Sequence, residues 1–144
     1  MRKLIHYLIL LVVSLFTCLT IQAQNPEAGR IKIIIENIPN DEGQIIIKLY
    51  RNASSFPKAP FKTSMVFIKN HRAEYLLTNV VKGTYAIALI HDKNGNGKLD
   101  FNFLHIPKEK VAASNNAKGL LGPPKWTDAQ FNVGDDEVVQ LIKL

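Results

Sequence analysis

The sequence predicts an all-β fold, a single antiparallel β-sandwich of about seven strands, of the transthyretin-like or immunoglobulin-like kind. Short runs rich in Ile, Val and Tyr alternate with turns rich in Pro, Asn, Asp and Gly. Beyond the N-terminal segment, no stretch keeps a helical period over three turns. The segment 93–126 has little strand pattern, and we expect it to form a long ordered loop, called the excursion below.

The first 23 residues have the layout of a secretory signal peptide. A short basic segment precedes a mainly apolar stretch that runs to about Ile21, and Ala23 supplies a small residue at the predicted cleavage point. The alternatives are an uncleaved membrane anchor and lipidation at Cys18, although the residues before this cysteine suit lipidation poorly. The prediction is an exported protein, periplasmic, at the cell surface or extracellular, that meets a membrane only if this segment is retained or lipidated.

Residues 24–144 are enough for one compact core and too few for two. The single cysteine, Cys18, lies in the predicted signal peptide, so disulfides, thiolate catalysis and cysteine-based zinc sites are not expected in the domain. The formal net charge of the whole chain is +6, and its lysines are scattered rather than clustered. We therefore expect no nucleic-acid partner.

Seven segments have the composition of strands, and two of them lead to further predictions. The predicted strands are 30–38, 44–51, 62–69, 73–80, 84–92, 129–133 and 137–144. The first two flank the turn 39–43 and predict a hairpin. Segment 84–92 is apolar on both of its alternating faces, which is typical of a central strand covered on both sides.

The excursion has enough apolar residues to pack onto the sandwich, and we expect it to do so. These residues are Leu99, Phe101, Phe103, Leu104, Ile106, Val111, Leu120, Leu121 and Trp126. Trp126 is expected to act as a hydrophobic plug where the excursion rejoins the sheet.

The stretch HDKNGNGKLD, residues 91–100, has the spacing of a calcium loop. With Asp92 as the first position, Asn94 and Asn96 occupy the third and fifth, Lys98 offers its carbonyl at the seventh, and Asp100 is the ninth. Gly97 permits the sharp bend.

An EF-hand is excluded, because Phe103 stands where a bidentate carboxylate is required and an apolar strand precedes the loop. A calcium site on a β scaffold would need further ligands from elsewhere in the chain. Glu109 is the nearest downstream carboxylate, and Asp128 and Asp41 are remoter candidates.

Three other interpretations stay open at this stage. Repeated Asn-Gly is also the composition of a tight turn that bonds only to itself. His91 and His105 could join a carboxylate in a transition-metal site, although no known spacing supports it. Carboxylates near the loop could hydrolyse a polymer of the cell envelope, but their spacing gives no reason to expect catalysis.

Several motifs in a fixed order resemble an uncharacterised family of exported bacterial proteins, catalogued as domain of unknown function 2141. The motifs are Gly83-Thr84-Tyr85-Ala86, residues 91–100, Pro107-Lys108-Glu109, Ser114-Asn115-Asn116 and Asp128-Ala129-Gln130-Phe131. The chain departs from the family pattern at His105, where Gly is frequent, and near Ala112 and Ala113, where an aromatic-glycine pair is frequent. The resemblance implies an exported β-sandwich, and it implies no activity, substrate or catalytic residue.

The functional expectation is therefore an exported, non-enzymatic β-sandwich module. Calcium at the loop would be structural and would shape a surface for a protein or glycan of the cell envelope. The alternatives are a hydrolase of envelope polymers that uses the loop carboxylates and a purely structural module without a ligand.

Overall fold

The computed structural model of the chain describes residues 28–144. The predicted signal peptide, with Cys18 and the lipidation alternative, lies outside the described residues. Within residues 28–144, no helix has the length and apolar character needed to cross a membrane.

The described residues form eight strands and one short α-helix. The strands are β1 (Gly29–Glu36), β2 (Gln44–Tyr50), β3 (Lys62–Phe67), β4 (Ala73–Val80), β5 (Gly83–Asp92), β6 (Val111–Ala113), β7 (Phe131–Val133) and β8 (Glu137–Lys143). A 3-10 turn, Ser114–Asn116, follows β6, and helix α1, Trp126–Ala129, precedes β7. The short strand β6 was not predicted, because its sequence, VAA, shows no alternation of apolar and polar residues.

Two sheets contain these strands, so the prediction of an all-β sandwich is confirmed. The first sheet has the order β4-β1-β8, and the second has the order β3-β2-β5-β6, with β7 also paired to β5. The pairs are antiparallel except for β1 and β8, which run parallel from Arg30 beside Glu137 to Glu36 beside Lys143.

The predicted hairpin of the first two strands is wrong, because β1 and β2 lie in different sheets. Strand β1 ends before Asn37, which has a left-handed φ of 59°. The next residue, Ile38, is buried in the core, and its N–H donates to the carbonyl of His71 at 3.3 Å. The chain thus crosses from one sheet to the other at Ile38 instead of turning back along β1.

The core lies between the inner faces of the two sheets and follows the alternation of the strands. Its largest contributors are Ile31, Ile33 and Ile35 of β1, Ile45, Ile47 and Leu49 of β2, and Tyr85, Ile87 and Leu89 of β5. The alternate residues of β5 are also buried, Ala86 at 0% exposure and Ile90 at 4%. The prediction that this strand is covered on both faces is therefore confirmed.

A smaller cluster covers Ala86 on the outer face of β5. Ala113 and Ala129 pack there, and Trp126 and Phe56 close the cluster with their rings 5.9 Å apart in an edge-on arrangement. The predicted role of Trp126 as a plug at the end of the excursion is confirmed.

Most other apolar side chains of the excursion do not pack onto the sandwich, so that part of the prediction is wrong. Those that are at least half exposed are Phe101, Phe103, Leu104, Ile106, Val111, Leu120 and Leu121. Two tight local turns, at 102–106 and 119–122, fold the backbone on itself and leave the side chains of Phe103, Leu104, Ile106, Leu120 and Leu121 exposed. Val111 instead begins β6, at the edge of its sheet. Composition alone does not reveal this outcome.

Candidate functional site: the polar loop after β5

The polar loop, residues 92–100, begins at the buried end of the central strand. Asp92 has 0% exposure, and it pairs in register with Gln44 of β2. The side-chain amide of Gln44 donates to Asp92 Oδ2 at 2.9 Å. The N–H of Gly97 donates to the same oxygen at 2.8 Å, and the N–H of Asn96 donates to Oδ1 at 3.1 Å. Asp92 therefore fixes the loop to the sheet and bends it back over its own start.

These contacts set the charge state of Asp92. Burial by itself raises the pKa of this carboxyl group, because a low-dielectric environment disfavours the anion. The hydrogen bonds from Gln44 and from the N–H groups of Gly97, Asn96 and Gly95 outweigh burial and hold the pKa below its ordinary value of 3.8. Asp92 is consequently an anion at neutral pH.

The outer half of the loop converges on Asp100. Its Oδ2 accepts from the side-chain amides of Asn94 at 2.7 Å and Asn96 at 2.9 Å. The amide oxygens of these asparagines accept from the N–H groups two residues ahead, those of Asn96 at 3.1 Å and Lys98 at 2.8 Å. Each amide oxygen keeps a second lone pair, and the side chain of Lys98 is exposed.

Glu109 closes the loop from outside. It is only 8% exposed, and its carboxylate accepts from the N–H of Lys93 at 3.2 Å and from the N–H of Asp100 at 3.2 Å. One carboxylate thus joins the first and last turns of the loop. Lys93 directs its ammonium group away, to the carboxylate of Glu42 at 2.9 Å.

The structure thus brings the five predicted side-chain ligands, Asp92, Asn94, Asn96, Asp100 and Glu109, into one hydrogen-bonded network. Among residues 28–144, no three His, Cys, Asp or Glu side chains form a group that could hold a metal. The network has three carboxylates, and its other oxygens belong to amides and to the backbone.

The other residues considered as metal ligands lie outside this network. Asp41 accepts from the N–H groups of Asn70 at 2.9 Å and His71 at 2.7 Å, at the turn before β4. Asp128 is in α1, at the far end of the excursion. His91 is buried with Nε2 2.9 Å from the carbonyl of Glu42, whereas His105 is exposed in the turn at 102–106.

A structural junction is formed by Ser114-Asn115-Asn116, a triplet whose sequence predicts no role. The hydroxyl of Ser114 accepts from the N–H of Ile87 at 2.9 Å and donates to the carbonyl of Ala129. Asn115 donates to the carbonyls of Asp128 and Gln130 at 3.1 and 2.8 Å.

Asn116 extends this junction to β8. It donates to the carbonyl of Leu141 at 3.1 Å and accepts from the N–H of Lys143 at 2.8 Å. Both asparagines have a left-handed φ, 58° and 52°, which asparagine tolerates better than most residues. The triplet therefore fastens the excursion to both sheets.

A shallow pocket lies elsewhere, at the opposite end of β5 from the polar loop. Leu49, Arg51, Phe61, Leu77 and Tyr85 are among its lining residues, which include no Asp or Glu. Arg51 lies over the ring of Phe61, 3.5 Å from its centroid. The arrangement has a cation and aromatic faces but no acid-base pair.

Two packed sheets and a polar loop at the end of the central strand define a small all-β, sandwich-like domain. The chain belongs to the family described as "Uncharacterized protein conserved in bacteria (DUF2141)", whose model matches residues 33–140. This membership confirms the resemblance found in the motifs. No curated protein and no solved structure matches the chain significantly.

Proposed function

We propose that the protein is an exported, non-enzymatic β-sandwich module whose polar loop binds calcium as a structural ion. The observation that carries the proposal is the convergence of Asn94 and Asn96 on Asp100, within a loop already fixed by Asp92 and Glu109. Calcium prefers carboxylate and carbonyl oxygens, and this loop supplies both.

The ligands would be Asp92, Asn94, Asn96, Asp100 and Glu109, with the backbone carbonyl of Lys98. The loop would have to close further around the ion, because its three carboxylates do not form a metal-binding group in the structure. The three carboxylates carry more negative charge than one calcium ion can neutralise. The ammonium group of Lys93 does not offset them, because it is paired with Glu42. The hydrogen bonds to Asp100 would be exchanged for ion contacts, so part of the binding energy is offset. A dissociation constant of about 10⁻⁴ to 10⁻³ M is expected, in the extracellular range.

A structural role for the ion suits the position of the site better than catalysis does. Asp92 is fully buried and accepts three hydrogen bonds, and Glu109 is nearly buried and accepts two. A general acid or base must reach the substrate, and these carboxylates face the loop instead. No observation favours the alternative of a hydrolase.

The export part of the proposal rests on the N-terminal sequence. Strand β1 begins at Gly29, so cleavage after Ala23 would leave every described strand intact. Mass spectrometry of the protein made in a bacterial host tests this step. A chain that begins at Gln24 supports cleavage, and a retained Met1 or a lipid on Cys18 contradicts it.

Thermal unfolding with calcium and with a chelator tests the ion site. At about 10 mM calcium, a dissociation constant near 1 mM adds roughly 1.4 kcal/mol to the free energy of unfolding. The midpoint should then rise by roughly 3–6 °C. Asp100→Asn should abolish the rise, and Asp128→Asn, a carboxylate outside the loop, should keep it. An unchanged midpoint in the wild-type protein would contradict the proposal and leave the self-bonded turn as the explanation of the loop.

A further inference from the structure

We infer that residues 101–107, called the apolar tip, insert into the surface of a bilayer that contains anionic phospholipids. The inference does not depend on calcium at the polar loop. It rests on the exposure of the apolar side chains, on the hydrogen bonding of the tip backbone, and on the charges around it.

The tip presents four large apolar side chains to solvent. Phe103 is 89% exposed, Leu104 62%, Ile106 54% and Phe101 50%. Soluble proteins seldom gather so much apolar surface in one short segment without a binding role. The four side chains belong to one turn rather than to a groove or a flat sheet.

Several backbone groups of the tip form hydrogen bonds within the tip itself. Phe101 and Pro107 form an antiparallel bridge, and the N–H of Asn102 donates to the carbonyl of Ile106 at 2.9 Å. The side-chain oxygen of Asn102 accepts from the N–H groups of Leu104 at 2.9 Å and Ile106 at 3.0 Å. In lipid an unsatisfied backbone group costs several kcal/mol, so these internal hydrogen bonds lower the cost of insertion.

Charge complementarity selects an anionic lipid surface. Lys98, Lys108 and Lys110 flank the tip, are exposed, and make no ion pair among the described residues. The nearby carboxylates, Asp100 and Glu109, are turned inward on the polar loop. Lysine is depleted in protein–protein interfaces, whereas lysines beside apolar side chains are typical of segments that lie in a membrane interface.

A single tryptophan placed in the tip reports its depth directly. Phe103→Trp is mixed with vesicles of phosphatidylcholine containing about 30% phosphatidylglycerol, made with bromine-labelled acyl chains. Trp126 gives a constant background, because it packs in the cluster with Ala86 and Ala113. Leu120→Trp is the matched control, since Leu120 is 97% exposed but lies in the other turn of the excursion. The expected result is a blue shift and quenching for Phe103→Trp, and neither for Leu120→Trp.

Vesicle co-sedimentation measures the binding strength. It uses the purified protein with the N-terminus that the host cell has produced. Phe103→Ser with Leu104→Ser should weaken binding about tenfold or more, because both side chains lose their transfer to lipid. Leu120→Ser with Leu121→Ser should leave binding within about twofold, as no lipid contact is assigned to that turn. Vesicles of phosphatidylcholine alone should bind several-fold less, because they lack the negative surface charge that attracts the flanking lysines. Three outcomes would each overturn the inference. The first is equal quenching of the tryptophans at positions 103 and 120, and the second is an equal loss of vesicle binding in both double variants. The third is the absence of binding to anionic vesicles.

Discussion

Gln44 and Asp92 face each other across β2 and β5, and the Gln44 amide donates a 2.9 Å hydrogen bond to the buried Asp92 carboxylate. This contact joins the sheet to the polar loop. Because the folded domain stabilises the anionic form of Asp92, the stability of the domain depends on the charge of this residue.

Asp92 should make the protein sensitive to acid. Its folded pKa lies below 3.8, so the unfolded chain takes up a proton at higher pH than the folded chain. The stability that this anion contributes is fully present above pH 3.8, the ordinary pKa that applies to the unfolded chain. It is lost as the pH falls through the lower pKa of the folded protein. Urea unfolding between about pH 6 and pH 2 should show a smaller loss for Asp92→Asn than for the wild type. Parallel curves for the two proteins would refute this assignment.

Gly43 should tolerate a side chain far less well than Gly95. Both have a left-handed φ, 71° and 70°, so replacement by alanine strains both backbones similarly. A Cβ at Gly43 would lie 2.0 Å from the carbonyl oxygen of Asp92, whereas a Cβ at Gly95 meets nothing within 4 Å. Gly95→Ala should cost about 1 kcal/mol, and Gly43→Ala at least about 2 kcal/mol more. Chemical denaturation measures both, and equal costs would count against the close approach of residue 43 to Asp92.

Glu109→Gln should loosen the polar loop. The carboxylate accepts from the N–H groups of Lys93 and Asp100, and an amide can offer an acceptor oxygen to only one of them. The expected loss is about 1–2 kcal/mol in the free energy of unfolding, with faster amide exchange at residues 93 and 100. Glu42→Gln is the control, because Glu42 is exposed and its pair with Lys93 should contribute little. Unchanged amide exchange at residue 100 in Glu109→Gln would argue against the closing role of Glu109.

Ser114→Ala should destabilise the junction between the excursion and the sheets. The substitution removes the acceptor for the buried N–H of Ile87 and the donor to Ala129, at a cost of about 2 kcal/mol. Ser54→Ala is the matched control, since Ser54 is exposed and its hydroxyl bonds only to Asn52 Oδ1. Calorimetry should show a clear fall in midpoint for Ser114→Ala alone. Comparable midpoints for the two variants would show that the hydroxyl of Ser114 is dispensable.

Strand positions were predictable because burial on one or both faces leaves a period in the sequence. The apolar faces of β5, Tyr85 with Ile87 and Leu89 on one side and Ala86 with Ile90 on the other, are a direct example. Strand pairing was not predictable, because β1 and β2 have compositions that fit either sheet. The buried Ile38, which sends the chain across the core, looks like one more strand residue in the sequence.

In the polar loop, too, some features could be predicted from the sequence and others could not. Spacing identified Asp92, Asn94, Asn96 and Asp100, because a tight turn places alternate side chains together. The partner Gln44 lies 48 residues away and carries no motif, so only the register of β2 and β5 reveals it. The exposure of Phe103 could not be foreseen either, since it depends on the hydrogen bonds of Asn102.

The parallel pairing of β1 with β8 has a consequence for the order of folding. Arg30 pairs with Glu137, so the first sheet cannot be completed until β8 has been synthesised. Until then β1 has only β4 beside it, and the backbone N–H and C=O groups along its other edge have no strand partner. Such an edge invites pairing with another chain, and contacts so distant in sequence form slowly. Nascent chains that stop before Glu137 should therefore aggregate or stay bound to chaperones, and the domain should acquire its protected amides only after its last strand docks.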